Sequence, residues 1–221
     1  MINFRKNDVI LFQGDSITDG NRGRNEDLNH VMGHGYQYIA GAEIMADNIG
    51  KNVRVYNRGI SGNRISDLYG RWIEDTLNLN PTVLSILIGV NDILFAYANG
   101  SGSSPERYEK IYRLLLDEAL EKNPEMILII MEPFVGDNFA TDKETEFFAS
   151  HAKELQKSAR KIAGEYNALF IPLQDMFDEY KKIIPSKELI WDGIHPTITG
   201  HELIARRWLE YVKRHTDNIC G

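Results

Sequence analysis

Val9-Ile10-Leu11-Phe12-Gln13-Gly14-Asp15-Ser16-Ile17-Thr18 joins a short apolar run directly to Gly-Asp-Ser, and this junction organises the reading of the whole 221-residue chain. An apolar run of this length bounded by a turn signal predicts a buried strand. Gly14 lets the backbone turn where side-chain bulk would clash, so Ser16 is expected at the carboxyl edge of a sheet. The same letters have a second reading, in which Asp15 or Ser16 merely caps the next helix, because both residue types rank high at N-caps.

Working outward, residues 20 to 35 form a polar loop beside the serine, and helical spacing returns from Tyr36 to Ile49. Val53 to Asn57 alternates as a second strand, and Gly59 and Gly62 mark the turn after it. Ile65, Leu68, Trp72, Ile73 and Leu77 predict one helix, closed by Asn80-Pro81. The clearest strand is Thr82 to Ile88, ending in Gly89-Val90-Asn91-Asp92, after which residues 96 to 104 read as a Gly/Ser/Asn-rich loop. Ser104-Pro105-Glu106 is a helix start. Met126 to Met131 predicts a fourth strand, Asp142 to Tyr166 a long amphipathic helix, and Ala168 to Ile171 a fifth strand. Thr199-Gly200-His201-Glu202 has the spacing of a capping box that opens a last helix. Strands alternating with helices imply right-handed crossovers and a parallel sheet, hence a three-layer α/β/α sandwich of about five strands. Ligands of such sheets bind outside the carboxyl ends of the strands, which collects Ser16, Gly62 and Asn91 on one edge.

Length fits a single domain over residues 1–221, since domains run to roughly 100–200 residues. Hydrophobic residues at 43% and charged residues at 26% describe an ordinary globular chain and rule against disorder. A net charge of −7, with no dense Lys/Arg block, argues against nucleic acid or an anionic membrane as partner. The N-terminal residues carry no apolar signal segment, and no run approaches the ~18–20 apolar residues of a membrane span. Cys220 is the only cysteine, which leaves no internal disulfide and no Cys-rich metal cluster. These features point to the cytoplasm and to no metal or cofactor, and leave homo-oligomerisation open.

A serine hydroxyl needs a base to take its proton and a third group to orient that base. Trp191-Asp192-Gly193-Ile194-His195-Pro196 offers both, with Asp192 three residues before His195. The backbone N–H groups of Ser16 and Gly62 and the side-chain amide of Asn91 are the natural donors to an oxyanion. Taken together, the blocks Gly14-Asp15-Ser16-Ile17-Thr18, Ser61-Gly62-Asn63, Gly89-Val90-Asn91-Asp92 and Asp192-Gly193-Ile194-His195-Pro196 resemble those of the SGNH or GDSL-type hydrolases, in their order. Asn57-Arg58-Gly59-Ile60 and Trp191 bring the likeness nearest to the single-domain carbohydrate acetylesterases. Ile17 replaces the leucine of the family name, at a position that carries no chemistry.

The resemblance implies a flavodoxin-like sheet, Ser16 as nucleophile, His195 as base, Asp192 as its orienter, and Ser16, Gly62 and Asn91 around the oxyanion. It implies a short acyl ester, acetyl on a sugar or oligosaccharide, as substrate, with lysophospholipases and thioesterases as sister activities. Trp191 and Asp15 are the candidate substrate contacts, Trp191 being read either as core or as a wall of the acyl pocket. Phe95 and Tyr97 are further candidates for a sugar ring. The readings from other classes are a non-catalytic sugar-binding module, which the intact Ser/Asp/His set opposes, and a metal hydrolase. His30 and His34 lie four apart but lack the glutamate of a zinc helix motif and are expected to be solvated or substrate-facing. His151 is expected to be packed, His201 a first-turn surface residue, and His215 part of a charged tail.

Overall fold

The computed structural model describes residues 3–25 and 27–219, with side chains as far as 215; Glu26 of the polar loop and Cys220 lie outside the described residues. Strand β1 (Val9–Gly14) is buried along its whole length, as an unbroken apolar run must be. It pairs in parallel with β2 (Arg54–Asn57) on one side and β3 (Val83–Leu87) on the other; β4 (Ile127–Met131) and β5 (Leu169–Ile171) complete a five-stranded sheet of order β2-β1-β3-β4-β5. Because the chain first steps from β1 to one side and then returns past it to β3, the carboxyl ends of β1, β2 and β3 flank the point where the strand order reverses, the edge at which such sheets bind ligands. Gly14 is required there for room. A Cβ on it would stand 2.3 Å from the Leu87 carbonyl oxygen and 2.5 Å from Thr18 Oγ1.

The helices are α1 (Ser16–Asp19), α2 (Tyr36–Asp47), α3 (Ile65–Gly70), α4 (Trp72–Asp75), α5 (Val90–Asn99), α6 (Pro105–Lys122), α7 (Asp142–Glu165), α8 (Gln174–Tyr180) and α9 (Ile198–Ile219). α2 and α9 pack together as one outer layer, while α3, α6 and α7 form the other, giving the expected three layers. The rings of Phe12 on β1, Tyr36 on α2 and Trp208 on α9 meet under the first of these, and Trp208 Nε1–H donates to Ser85 Oγ of β3 at 3.0 Å. That bond satisfies the one polar atom of a fully buried indole. Ser104 caps α6 and Thr141 opens α7 with a capping box.

Four elements differ from the sequence reading. Residues 96–99 belong to α5, which starts directly at Gly89 with no intervening loop, so only 100–104 connect to α6. The helix read from Ile65 to Leu77 is broken at Arg71, whose guanidinium turns inward onto Gln13 Oε1 and the carbonyls of Arg58 and Gly14. Past this break Trp72 stays buried but Ile73 is exposed. Helix α8 carries no long apolar period and was not expected. Finally α9 is capped by Thr197, whose Oγ1 accepts from Gly200 N at 3.2 Å, and Thr199 lies inside the helix.

Candidate active site

Three strand ends build the site. Ser16 opens α1 straight after β1 and is half-buried. Asp15 Oδ1 accepts from Ile17 N at 3.0 Å, so the two readings of Gly-Asp-Ser hold together: the aspartate caps the helix whose first residue presents the serine. The carboxylate of Asp15 is buried, which corrects its expected role as a substrate contact. Burial pushes its pKa up to about 7, against the opposing pull of the Ile17 N–H and of His195.

Ser16 Oγ lies 2.9 Å from His195 Nε2, and His195 Nδ1 lies 2.7 Å from Asp192 Oδ2. The other carboxylate oxygen, Asp192 Oδ1, accepts from the backbone N–H of Ile194 at 2.9 Å and of His195 at 2.7 Å. Burial works against its charge, but the N–H donors of His195 and Ile194 outweigh it and hold Asp192 below the usual carboxylate range. The loop is closed by Trp191 N donating to the His195 carbonyl at 3.0 Å, and is tied to the segment after β4 by Gly136 N to Gly193 O at 2.8 Å and Asn138 Nδ2 to Trp191 O at 3.0 Å. These ties explain how four consecutive residues, Asp192 to His195, hold an acid and a base in register within one loop.

Gly62 sits at the third position of a turn closed by Asn63 N to Ile60 O at 3.2 Å. Its φ of +83° is the left-handed conformation that suits glycine. It is exposed, no atom lies within 4 Å of where a Cβ would stand, and its N–H donates to no group among the described residues. Asn91 is buried in the first turn of α5, and its Nδ2 donates to Asn63 O at 3.1 Å, which orients the amide and leaves its second hydrogen free. Asp92 beside it binds Ile65 N through Oδ2 at 3.0 Å; burial raises its pKa to about 6. The structure therefore brings Ser16, His195, Asp192, Gly62 and Asn91 to one edge, as the sequence placed them.

Trp191 is 63% exposed, with its ring centroid 6.5 Å from that of His195 at an interplanar angle of 26°. It walls the site and is not core. Tyr97 packs on Phe147 and Phe148, and Phe95 lies under the Arg64 guanidinium, so neither ring is a free platform. His30 is exposed and paired with Asp27, and His34 is exposed. Two histidines correct the sequence reading. His151 is exposed and stacked on Phe147, and His201 is buried, its Nδ1 accepting from Tyr36 N at 3.2 Å. The sequence also gave no notice of Asp19, a buried carboxylate that joins α1 to the Gly62 turn. Buried and solvated aspartates share one letter, and only the tertiary fold separates them.

The chain belongs to the GDSL-like lipase/acylhydrolase family, whose sequence profile matches residues 12–203, and it is a carboxylic-ester hydrolase of that type. It is 32% identical over 209 residues to an acetylxylan esterase of Geobacillus stearothermophilus, covering 92% of this chain and 93% of that one. A crystal structure of an acetylxylan esterase from Geobacillus stearothermophilus superposes with a TM-score of 0.80 at 32% identity, covering 95% of this chain and 96% of the other. A GDSL-like lipase candidate from Parabacteroides merdae superposes with a TM-score of 0.89 at 38% identity, covering 96% of this chain and 98% of that one. An α/β hydrolase from the metagenome of Lake Arreo gives 0.84 at 27% identity, over 95% and 96% of the two chains.

Proposed function

We propose that this chain removes short acyl groups, acetyl above all, from carbohydrate esters through an acyl-enzyme formed on Ser16. The observation that carries the reading is the hydrogen-bonded line from Ser16 Oγ through His195 to Asp192, with uncommitted donors beside it. Asp192 Oδ2 accepts from His195 Nδ1–H and so presents Nε2 as the lone-pair nitrogen toward the serine. As Ser16 Oγ attacks the ester carbonyl carbon, its proton passes to Nε2. The developing oxyanion meets the N–H groups of Ser16 and Gly62 and the free hydrogen of Asn91 Nδ2, of which one donor contributes ~10²–10³ in rate. The tetrahedral intermediate collapses, His195 gives the proton to the departing sugar alkoxide, and the acyl group stays on Ser16. Water, deprotonated by the same nitrogen, then attacks the acyl carbon; collapse frees the carboxylic acid and restores Ser16.

Support for a sugar ester comes from the surroundings. The nearby loops 21–25 and 100–104 are polar, and the exposed Trp191 ring offers a face to a pyranose. A relative named acetylxylan esterase, aligned over nearly the whole chain, points the same way. Hydrolysis rates are expected to fall steeply from acetyl to butyryl to octanoyl esters of one chromogenic alcohol, with acetate released from acetylated xylo-oligosaccharides. A rate that rises with acyl length would reject the sugar ester in favour of a lipid or thioester substrate.

A further inference from the structure

We propose that Asp19 is a positioning residue for the acyl-transfer step: its buried carboxylate locks the Gly62 turn to the helix that carries Ser16. The proposal rests on the acyl-enzyme reading above. Asp19 ends α1, three residues after the nucleophile, and its N–H donates to Asp15 O at 2.7 Å. Its side chain points to the neighbouring loop. Oδ2 accepts from both Ser61 N and Ser61 Oγ at 2.9 Å, and from Arg24 Nη2 at 2.7 Å. Oδ1 accepts from Arg24 Nη1 and Arg22 N, each at 3.1 Å. The lone pairs of a carboxylate, about four in number, are thereby all engaged.

The Ser61 bond matters because of where the loop is otherwise held. Arg58 N and Ile60 N donate to Phe12 O and Gly14 O, continuing the β1 to β2 ladder, and Asn57 Nδ2 grips the carbonyls of Thr18 and Asp19. Those ties end at Ile60. On the far side of the turn, Asn63 is fixed through its carbonyl by Asn91 and through Oδ1 by Arg71 Nε. Gly62 lies between, with no hydrogen bond of its own among the described residues, and the residue before it is anchored by Asp19. The Ser61 anchor sets the plane of the peptide that carries the Gly62 N–H. An oxyanion donor works through being fixed before charge develops, so a tilt of that peptide costs rate without costing ground-state binding.

Electrostatics favour a carboxylate over an amide at this position. Burial opposes its charge, but the forked Arg24 guanidinium and the Ser61 donors outweigh burial and hold Asp19 below the ordinary carboxylate range. An asparagine offers one accepting oxygen and places an NH₂ either against Ser61 N–H or against Arg24, where donor faces donor.

The test compares wild type with Asp19→Asn and Asp19→Ala on a chromogenic acetyl ester, at a temperature where near-ultraviolet circular dichroism shows each variant folded. kcat is expected to fall by ~10-fold for Asp19→Asn and ~10²-fold for Asp19→Ala with KM nearly unchanged, the mark of a contact realised in the transition state. Affinity for a boronate that forms a tetrahedral adduct on Ser16 should fall in parallel. If the Ala variant does not fold, the isosteric Asn variant decides alone. Wild-type kcat in folded Asp19→Asn, or a loss confined to KM, would overturn the positioning role. Failure of the wild type itself to acylate at Ser16 would instead strike the acyl-enzyme reading, so the two failures are distinguishable.

Discussion

The hydrogen held between His195 and Asp192 fixes which nitrogen of the imidazole faces Ser16, and the two oxygens of Asp192 divide that work. Oδ2 takes the Nδ1–H while Oδ1 is occupied by two backbone donors. In Asp192→Asn one of these sites receives an NH₂, and if it faces Nδ1 the ring is driven to the wrong tautomer. kcat is expected to drop by up to about 10⁴-fold with the fold intact, measured on an acetyl ester alongside thermal unfolding. Wild-type activity in that variant would mean another acid orients the base. Residues of this kind were legible in sequence because the chemistry sits in local blocks: Asp192 and His195 are three positions apart, and Ser16 lies one residue after its cap Asp15 and two after the turn glycine Gly14. The burial of Asp15 and the bracing role of Asp19 were not legible, since burial is decided by the tertiary fold, and Asp19 meets Ser61 and Asn57 from segments about 40 residues away.

Among the elements, α9 shows what packing adds to periodicity. Leu203, Ile204 and Trp208 recur at helical spacing in its sequence, and all three are buried. Its start was misplaced by two residues because Thr197 and Thr199 carry the same capping chemistry, and only the loop from Leu189 decides between them: Thr197 N donates to Leu189 O. That shift moves His201 from the surface onto Tyr36. There burial, with smaller contributions from His34 and His195, lowers its pKa to about 4 from the ordinary 6.5. A base whose folded pKa is depressed supplies stability that is complete above 6.5 and is lost as pH falls toward 4, about 3 kcal/mol at ~1.4 kcal/mol per unit. Asp15, raised to about 7 from 3.8, acts in the opposite sense: its contribution is complete below 3.8 and is lost as pH rises toward 7. Urea unfolding from pH 7 to pH 4 of wild type and His201→Asn isolates the histidine. The wild type should lose more stability over that interval than the variant; parallel curves would contradict the assignment. Helix α5 escaped the sequence reading for a related reason, since a strand that passes into a helix through Ile88 and Gly89 alone leaves no polar connector to mark the change.

At the scale of the whole molecule, the sheet order β2-β1-β3-β4-β5 gathers the site, because it sets the ends of β1, β2 and β3 side by side and leaves the loop before α9 to close over them. The alternation of strands and helices was enough to foresee this edge, and the parallel register then placed Ser16, Gly62 and Asn91 on it without any contact between them in sequence. What the order of elements did not reveal is how the edge is braced, through Arg71, Asn57 and Asp19, since these ties run between segments some 40 to 60 residues apart. The central claim of the account is that acyl transfer passes through Ser16. Rapid quenching of the protein during turnover of an acetyl ester, followed by peptide mass analysis, tests it directly. An acetyl adduct on the peptide and side chain of Ser16, forming and decaying at rates consistent with turnover and absent in Ser16→Ala, is the predicted result; an adduct on another residue, or undiminished turnover by Ser16→Ala, would contradict it.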